Sequence, residues 1–214
     1  MPKVKICGNT NPEDALRAKT LGADFLGLIF TESKRKVTSE RAMAIIHALP
    51  DFPNFVGVFA NQPKEHVESI VKSLNLKWVQ FHGTETSRYC DYFSNLHLQI
   101  IKTFRVKDRM SLKRLDEYNV SAFLFDTYSR QEMGGTGTTF DWSLIEDKPY
   151  VHEKLFLSGG LTLDNVEAAV KKIDPYAVDV ASGVEKSPGV KDPILLEQFI
   201  SIVKGKERVA RKRT

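Results

Sequence analysis

Apolar residues in this chain fall into short runs, and the stretches between them carry apolar positions at helical spacing. The runs are VKIC (4–7), ADFLGLIF (23–30), FVGVFA (55–60), KWVQFHG (77–83), HLQIIKTF (97–104), SAFLFDT (121–127), EKLFLSGG (153–160) and AVDVASG (177–183). After the first run, Asn11 reads as a helix N-cap, Pro12 as the first helical residue and Gly22 as the stop. TSERAMAIIHAL reads as a second helix capped by Thr38 or Ser39, and KEHVESIVKSL as a third. Further helices are predicted over 86–95 and 108–118, in the short DWSLIED, in LDNVEAAVKKI and over 192–203.

Strands separated by helices imply right-handed crossovers and a parallel sheet buried on both faces. Eight such units predict an α/β fold, a single (β/α)8 barrel, which closes the sheet and leaves no edge strand. An open doubly wound sheet is the alternative. The barrel is expected to occupy residues 1–203, with 204–214 as a basic tail.

Composition narrows this picture only slightly. The 42% hydrophobic content in 214 residues suffices for a sizeable core. No apolar stretch approaches the roughly 20 residues that span a bilayer. The first apolar segment is short and broken by Lys5, unlike a signal peptide. Two cysteines give no disulfide framework. These features predict a cytoplasmic protein without membrane contact. The charge is lopsided: KGKERVARKRT (204–214) holds six of the 31 Lys/Arg and one of the 27 Asp/Glu, leaving 25 basic against 26 acidic residues in the body. The net charge of +4 therefore reports a solvated end, not a binding face, and no nucleic-acid partner is expected.

In a barrel of this kind the chemistry sits at the C-terminal ends of the strands. That rule selects Cys7 after strand one and Asp126 after strand six as a potential base and acid. Ser158, Gly159 and Gly160 end strand seven, and Ala181, Ser182 and Gly183 end strand eight. Small residues at these two rims suit phosphate, because backbone N–H groups are unobstructed there. The loop MGGTGTTFDW adds Gly134 and Gly135. Arg35, in TESKRKV after strand two, suits a second anionic group, since guanidinium binds carboxylate bidentately. The residues together predict a sugar-phosphate-sized ligand carrying a further anion.

The segments KICGNT, FTESKR, VGVFAN, VQFHG, FDT, GGTGTTFDWSL, LSGGL and AVDVASGVE…PGVKD resemble, in register, the phosphoribosylanthranilate isomerase family of tryptophan biosynthesis. The similarity extends to about residue 203. It implies an Amadori rearrangement of N-(5′-phosphoribosyl)anthranilate, with the cysteine of KICG (Cys7) as general base and the aspartate of FDT (Asp126) as general acid. The mechanism asks for a raised Asp126 pKa and a Cys7 pKa lowered from about 8.5. The resemblance further implies that Arg35 holds the anthranilate carboxylate and that the loops after strands seven and eight hold the phosphate. The partner implied is thus a small-molecule substrate, with neither metal nor redox cofactor, and the protein is a monomer or homodimer.

The related isomerase of histidine biosynthesis resembles an aspartate–aspartate pair, against which Cys7 counts. A phosphosugar-binding barrel without catalysis is the rival of another class. Of the five histidines only His82 lies at a strand end, where it lines the pocket or is structural. Cys90, within TETSRYCDYF, is expected to pack against the barrel. Strand alternation puts Lys5 on the same face as Cys7, one layer deeper. Strand eight closes beside strand one, so Asp179 is expected to point inward and pair with Lys5, whose charge would favour the thiolate.

Overall fold

The computed structural model describes residues 1–127, 141, 143–146 and 153–205. Eight parallel strands close into a barrel: β1 (Lys3–Ile6), β2 (Phe25–Ile29), β3 (Phe55–Phe59), β4 (Trp78–Phe81), β5 (Gln99–Val106), β6 (Ala122–Thr127), β7 (Leu155–Leu157) and β8 (Ala177–Val180). The seam is β1 with β8, in the register Lys3↔Ala177 to Ile6↔Val180. Gly134 and Gly135 lie outside the described residues, as do residues 206–214 of the tail.

Local signals explain where the helices begin and end. Asn11 accepts from the Asp14 amide, Pro12 opens the helix Pro12–Leu21, and Gly22 at φ 111° takes the left-handed conformation that ends it. Thr38 caps Ser39–His47, Thr86 caps Ser87–Ser94, and Asp192 caps Pro193–Val203. The helix expected over 108–118 is instead two 3₁₀ turns, Arg109–Leu112 and Leu115–Glu117. There Asp108 and Ser111 form a capping box, but only Leu112 and Leu115 are buried, an apolar face too narrow to hold a longer helix.

The alternation of side chains divides the core in two. Val4, Ile6, Leu26, Leu28 and their counterparts face outward against the helices. A smaller cluster, with Phe25, Val56, Ile101, Leu124 and Phe156, fills the barrel itself. Full burial of each such phenylalanine contributes about 2–3 kcal/mol. On β1, β4, β5 and β8 the next inward position above this apolar floor holds a buried polar side chain: Lys5, Gln80, Thr103 and Asp179. Two residues further stand Cys7 after β1 and His82 after β4, and two above Leu124 stands Asp126 on β6.

The last residues before the undescribed tail are anchored. Lys204 Nζ donates to Asp24 Oδ2 at 2.6 Å and to the Pro2 carbonyl at 3.5 Å. Among the described residues, no helix is long and apolar enough to cross a membrane.

Candidate active site

One cavity of about 820 Å³, measured out to its open mouth, lies at the C-terminal ends of the strands. Cys7, Arg35, His82 and Asp126 line it. The whole rim after β7 and β8 does so too: Ser158, Gly159, Gly160, Ala181, Ser182 and Gly183. Every described residue picked from the sequence therefore reaches the same space. Ile29, Val58 and Leu161 supply an apolar part of its wall.

Cys7 is held from three sides. Its amide donates to Val180 O at 2.8 Å, and its carbonyl accepts from Lys191 Nζ at 2.5 Å. Opposite the thiol lies Gly27, where an added Cβ would come within 2.6 Å of Sγ. Below it, Lys5 Nζ donates to Asp179 Oδ1 at 2.6 Å, and Ser158 Oγ donates to Asp179 Oδ2 at 3.2 Å. The pairing expected from strand parity is therefore present.

Burial works against the Lys5 ammonium, but Asp179 and Cys7 more than compensate, and its pKa is raised. For Cys7, the expectation of a lowered pKa is overturned. Burial pushes the thiol above its ordinary value, with Asp179 adding to the rise, while Lys5 and Lys191 pull against it without prevailing. A thiol with almost no water around it forms its anion reluctantly, even beside two ammonium groups.

Asp126 sits at the end of β6, with Oδ1 accepting from the Thr127 amide at 2.9 Å. Its Oδ2 is 3.4 Å from His82 Nε2. The His82 ring is fixed on its other side, Nδ1 lying 3.0 Å from Gln80 Nε2 and 3.3 Å from Thr103 Oγ1. The backbone around His82 is pinned as well: Lys102 Nζ donates to the carbonyls of Phe81 and Gly83 and pairs with Glu85 at 2.9 Å.

Arg35 passes over Gly8, whose φ of 71° and missing Cβ leave room for the arginine stem. Its guanidinium grips Glu185 in bidentate fashion, Nε to Oε1 at 2.9 Å and Nη2 to Oε2 at 2.7 Å. Glu185 also receives Lys191 Nζ at 2.9 Å. Burial opposes the Glu185 carboxylate, yet its two cations hold its pKa below the ordinary value. Lys191, sharing that one carboxylate with Arg35, cannot offset its own burial, and its pKa is lowered.

Sequence reasoning missed Glu185 and Lys191. They lie on a small hairpin, Glu185–Ser187 against Val190–Lys191, turned by Pro188-Gly189 with Gly189 at φ 82°. The Pro-Gly pair was the available signal. Gln80 and Thr103 were missed; strand parity counted back from His82 was the available signal for Gln80. Cys90 is fully buried, and burial raises its thiol pKa to about 12, as befits a packing residue. Among the described residues, no group of three or more His, Cys, Asp or Glu side chains is arranged to hold a metal ion.

A closed eightfold barrel with thiol, carboxylate, imidazole and guanidinium converging at its C-terminal mouth defines a barrel enzyme acting on a small molecule. Residues 4–202 match the family model described as N-(5′-phosphoribosyl)anthranilate (PRA) isomerase. The chain belongs to that family, and its function is that isomerisation in tryptophan biosynthesis. It is 47% identical over 206 residues to the N-(5′-phosphoribosyl)anthranilate isomerase of Geobacter sulfurreducens, covering 96% of this chain and all of the relative. The crystal structure of phosphoribosyl anthranilate isomerase from Thermotoga maritima superposes with a TM-score of 0.88 at 39% identity, over 96% of this chain and 100% of the other. A second solved isomerase, in complex with reduced 1-(o-carboxyphenylamino)-1-deoxyribulose 5-phosphate, gives 0.84 at 37% identity with the same coverage.

Proposed function

We propose that the isomerisation runs by general acid–base catalysis between Asp126 and Cys7. The observation that carries the assignment is their common cavity: the carboxyl group ends β6, the thiol follows β1, and both line one ligand-sized space. Asp126 protonates the furanose ring oxygen; the C1′–O bond breaks and a Schiff base forms. Cys7 removes the proton from C2′, and the resulting enolamine tautomerises to the ketone. The substrate gains one proton from Asp126 and loses one to Cys7, so the product is an isomer.

The remaining side chains sort by the charges of such a substrate. Arg35, oriented by Glu185, receives the anthranilate carboxylate, and the ring packs toward Ile29, Val58 and Leu161. The Gly159–Gly160 and Ser182–Gly183 turns receive the phosphate. The analogue held by the solved relative carries both of these anions, which supports a ligand extended from Arg35 to β7 and β8. The same reading places the protein in the cytoplasm, as a monomer or a homodimer.

The test is the loss of phosphoribosylanthranilate fluorescence on adding purified protein in a chelating buffer, compared with Asp126→Asn. Turnover by the wild type and a loss of about 10²–10⁴-fold in the variant is expected. Wild-type kcat in Asp126→Asn would overturn the assignment of the acid.

A further inference from the structure

An acid that gives its proton to the substrate in every turnover must be recharged. An ordinary carboxyl group, with a pKa of about 4, holds little of that proton near neutrality. The surroundings of Asp126 offer a second proton carrier. His82 Nε2 lies 3.4 Å from Asp126 Oδ2, somewhat long for a hydrogen bond, as catalytic contacts commonly are before substrate binds. The imidazole is 19% exposed, so solvent reaches it, whereas the aspartate side chain is 8% exposed.

We propose that His82 is the proton reservoir of the acid: imidazole and carboxylate together hold one transferable proton, and His82 returns it to Asp126 after each ring opening. The inference rests on Asp126 being the acid. The protons balance. Asp126 gives its proton to the ring oxygen and becomes a carboxylate. Solvent then protonates the neutral ring, and imidazolium Nε2–H passes its proton to Oδ2.

Gln80 is built to accommodate both forms of the ring. In the structure its Nε2 faces His82 Nδ1 at 3.0 Å and also donates to Thr103 Oγ1 at 3.2 Å. An amide N–H facing Nδ1 requires a lone pair there, so the remaining ring proton sits on Nε2, toward Asp126. This is the discharged state. Meanwhile Gln80 Oε1 is buried without a hydrogen-bond partner among the described residues. Half a turn of the amide brings that oxygen to Nδ1, where it accepts the second proton of the imidazolium. A buried unsatisfied oxygen is costly, and this exchange gives it a use.

Among the described residues, few other charges bear on the dyad, and the cavity's remaining ionisable lining is Cys7, Glu32, Arg35 and Asp179. Arg105 stands beside Asp126 in the β5–β6 register, and the Lys102–Glu85 pair braces the backbone flanking His82. Burial raises the Cys7 thiol and opposes its ionisation. With the dyad as the acid and the thiol as the base, the proposal assigns the low-pH limb of kcat/KM to the dyad.

The experiment is the pH profile of kcat/KM for wild type, His82→Asn and Asp126→Asn, with product-analogue affinity as the control for folding. In His82→Asn the low-pH limb should move down toward the carboxylate range. The plateau should fall about ten-fold for each unit of that movement. A lower plateau with an unmoved limb would assign His82 a packing role and overturn the reservoir. Should Asp126→Asn keep wild-type kcat, the acid assignment itself fails and the reservoir with it. A reading independent of variants comes from the imidazole ¹⁵N shifts of the wild-type protein. The His82 ring should take up its second proton across the same pH range as the limb, and a ring that stays neutral through that range would refute the proposal.

Discussion

Lys5 Nζ stands 2.6 Å from Asp179 Oδ1 across the seam of the barrel, one layer beneath the Cys7 thiol, in a place without exposed surface for the lysine. An ammonium so placed stays charged because the carboxylate faces it, and the same positive charge opposes the burial that makes Cys7 hard to ionise. Removing it should raise the thiol pKa further. Alkylation rate against pH should therefore show a higher apparent value in Lys5→Met than in wild type, with the high-pH limb of kcat/KM displaced upward. An unchanged thiol titration in a folded Lys5→Met protein would show that the pair serves only the barrel's interior. Because Asp179 would be left buried without its cation, Lys5→Met/Asp179→Leu is the companion variant; since Asp179 itself raises the thiol, its shift should be smaller and in the same direction.

Gly27 lies where a methyl group would press on the thiol, 2.6 Å from Sγ and 3.1 Å from the Cys7 Cα. Gly27→Ala should cost about 1–3 kcal/mol of stability through overpacking. By displacing the base about 1 Å it should lower kcat on the order of 10²-fold. Thermal unfolding and steady-state kinetics separate the two effects. Wild-type kcat would mean that the thiol's position is not critical.

How far this arrangement was legible in the sequence depends on periodicity. The alternation of apolar runs and helical stretches leads to the barrel, and the barrel rule then leads to Cys7, Asp126 and the two small-residue rims. Parity along β1 and β8 leads to the Lys5–Asp179 pair, since a period of two leaves Lys5 nowhere but inside. Other features depend on three-dimensional detail that no period encodes. The Cys7 pKa goes the opposite way from expectation because the depth of a thiol is not written in its neighbours. The Arg35–Glu185–Lys191 network joins positions 150 residues apart through a hairpin marked by a single Pro-Gly. The segment 108–118 has polar residues that tolerate a helix, but tertiary packing offers it only two turns.

Arg35 and Glu185 make their bidentate contact with the arginine side chain only 15% exposed. Arg35→Met should therefore raise KM on the order of 10²-fold while changing kcat much less, if the substrate carboxylate is held alike in ground and transition states. Isothermal titration with a product analogue provides the direct measure. Unchanged KM and unchanged affinity would remove Arg35 from the binding site.

Ser182→Glu places a carboxylate at the rim assigned to phosphate. Inhibition by a phosphate-bearing product analogue should be lost, while the fold, followed by circular dichroism, is retained. An inhibition constant equal to that of wild type would refute the phosphate position.

The account as a whole stands on Cys7 as the base, and the turnover number of Cys7→Ala tests it most directly. Followed by the fluorescence of phosphoribosylanthranilate, kcat should fall by about 10²–10⁴-fold while product-analogue affinity stays near that of the wild type. A Cys7→Ala protein that turns over at the wild-type rate would contradict the mechanism and hand the base's role to another side chain.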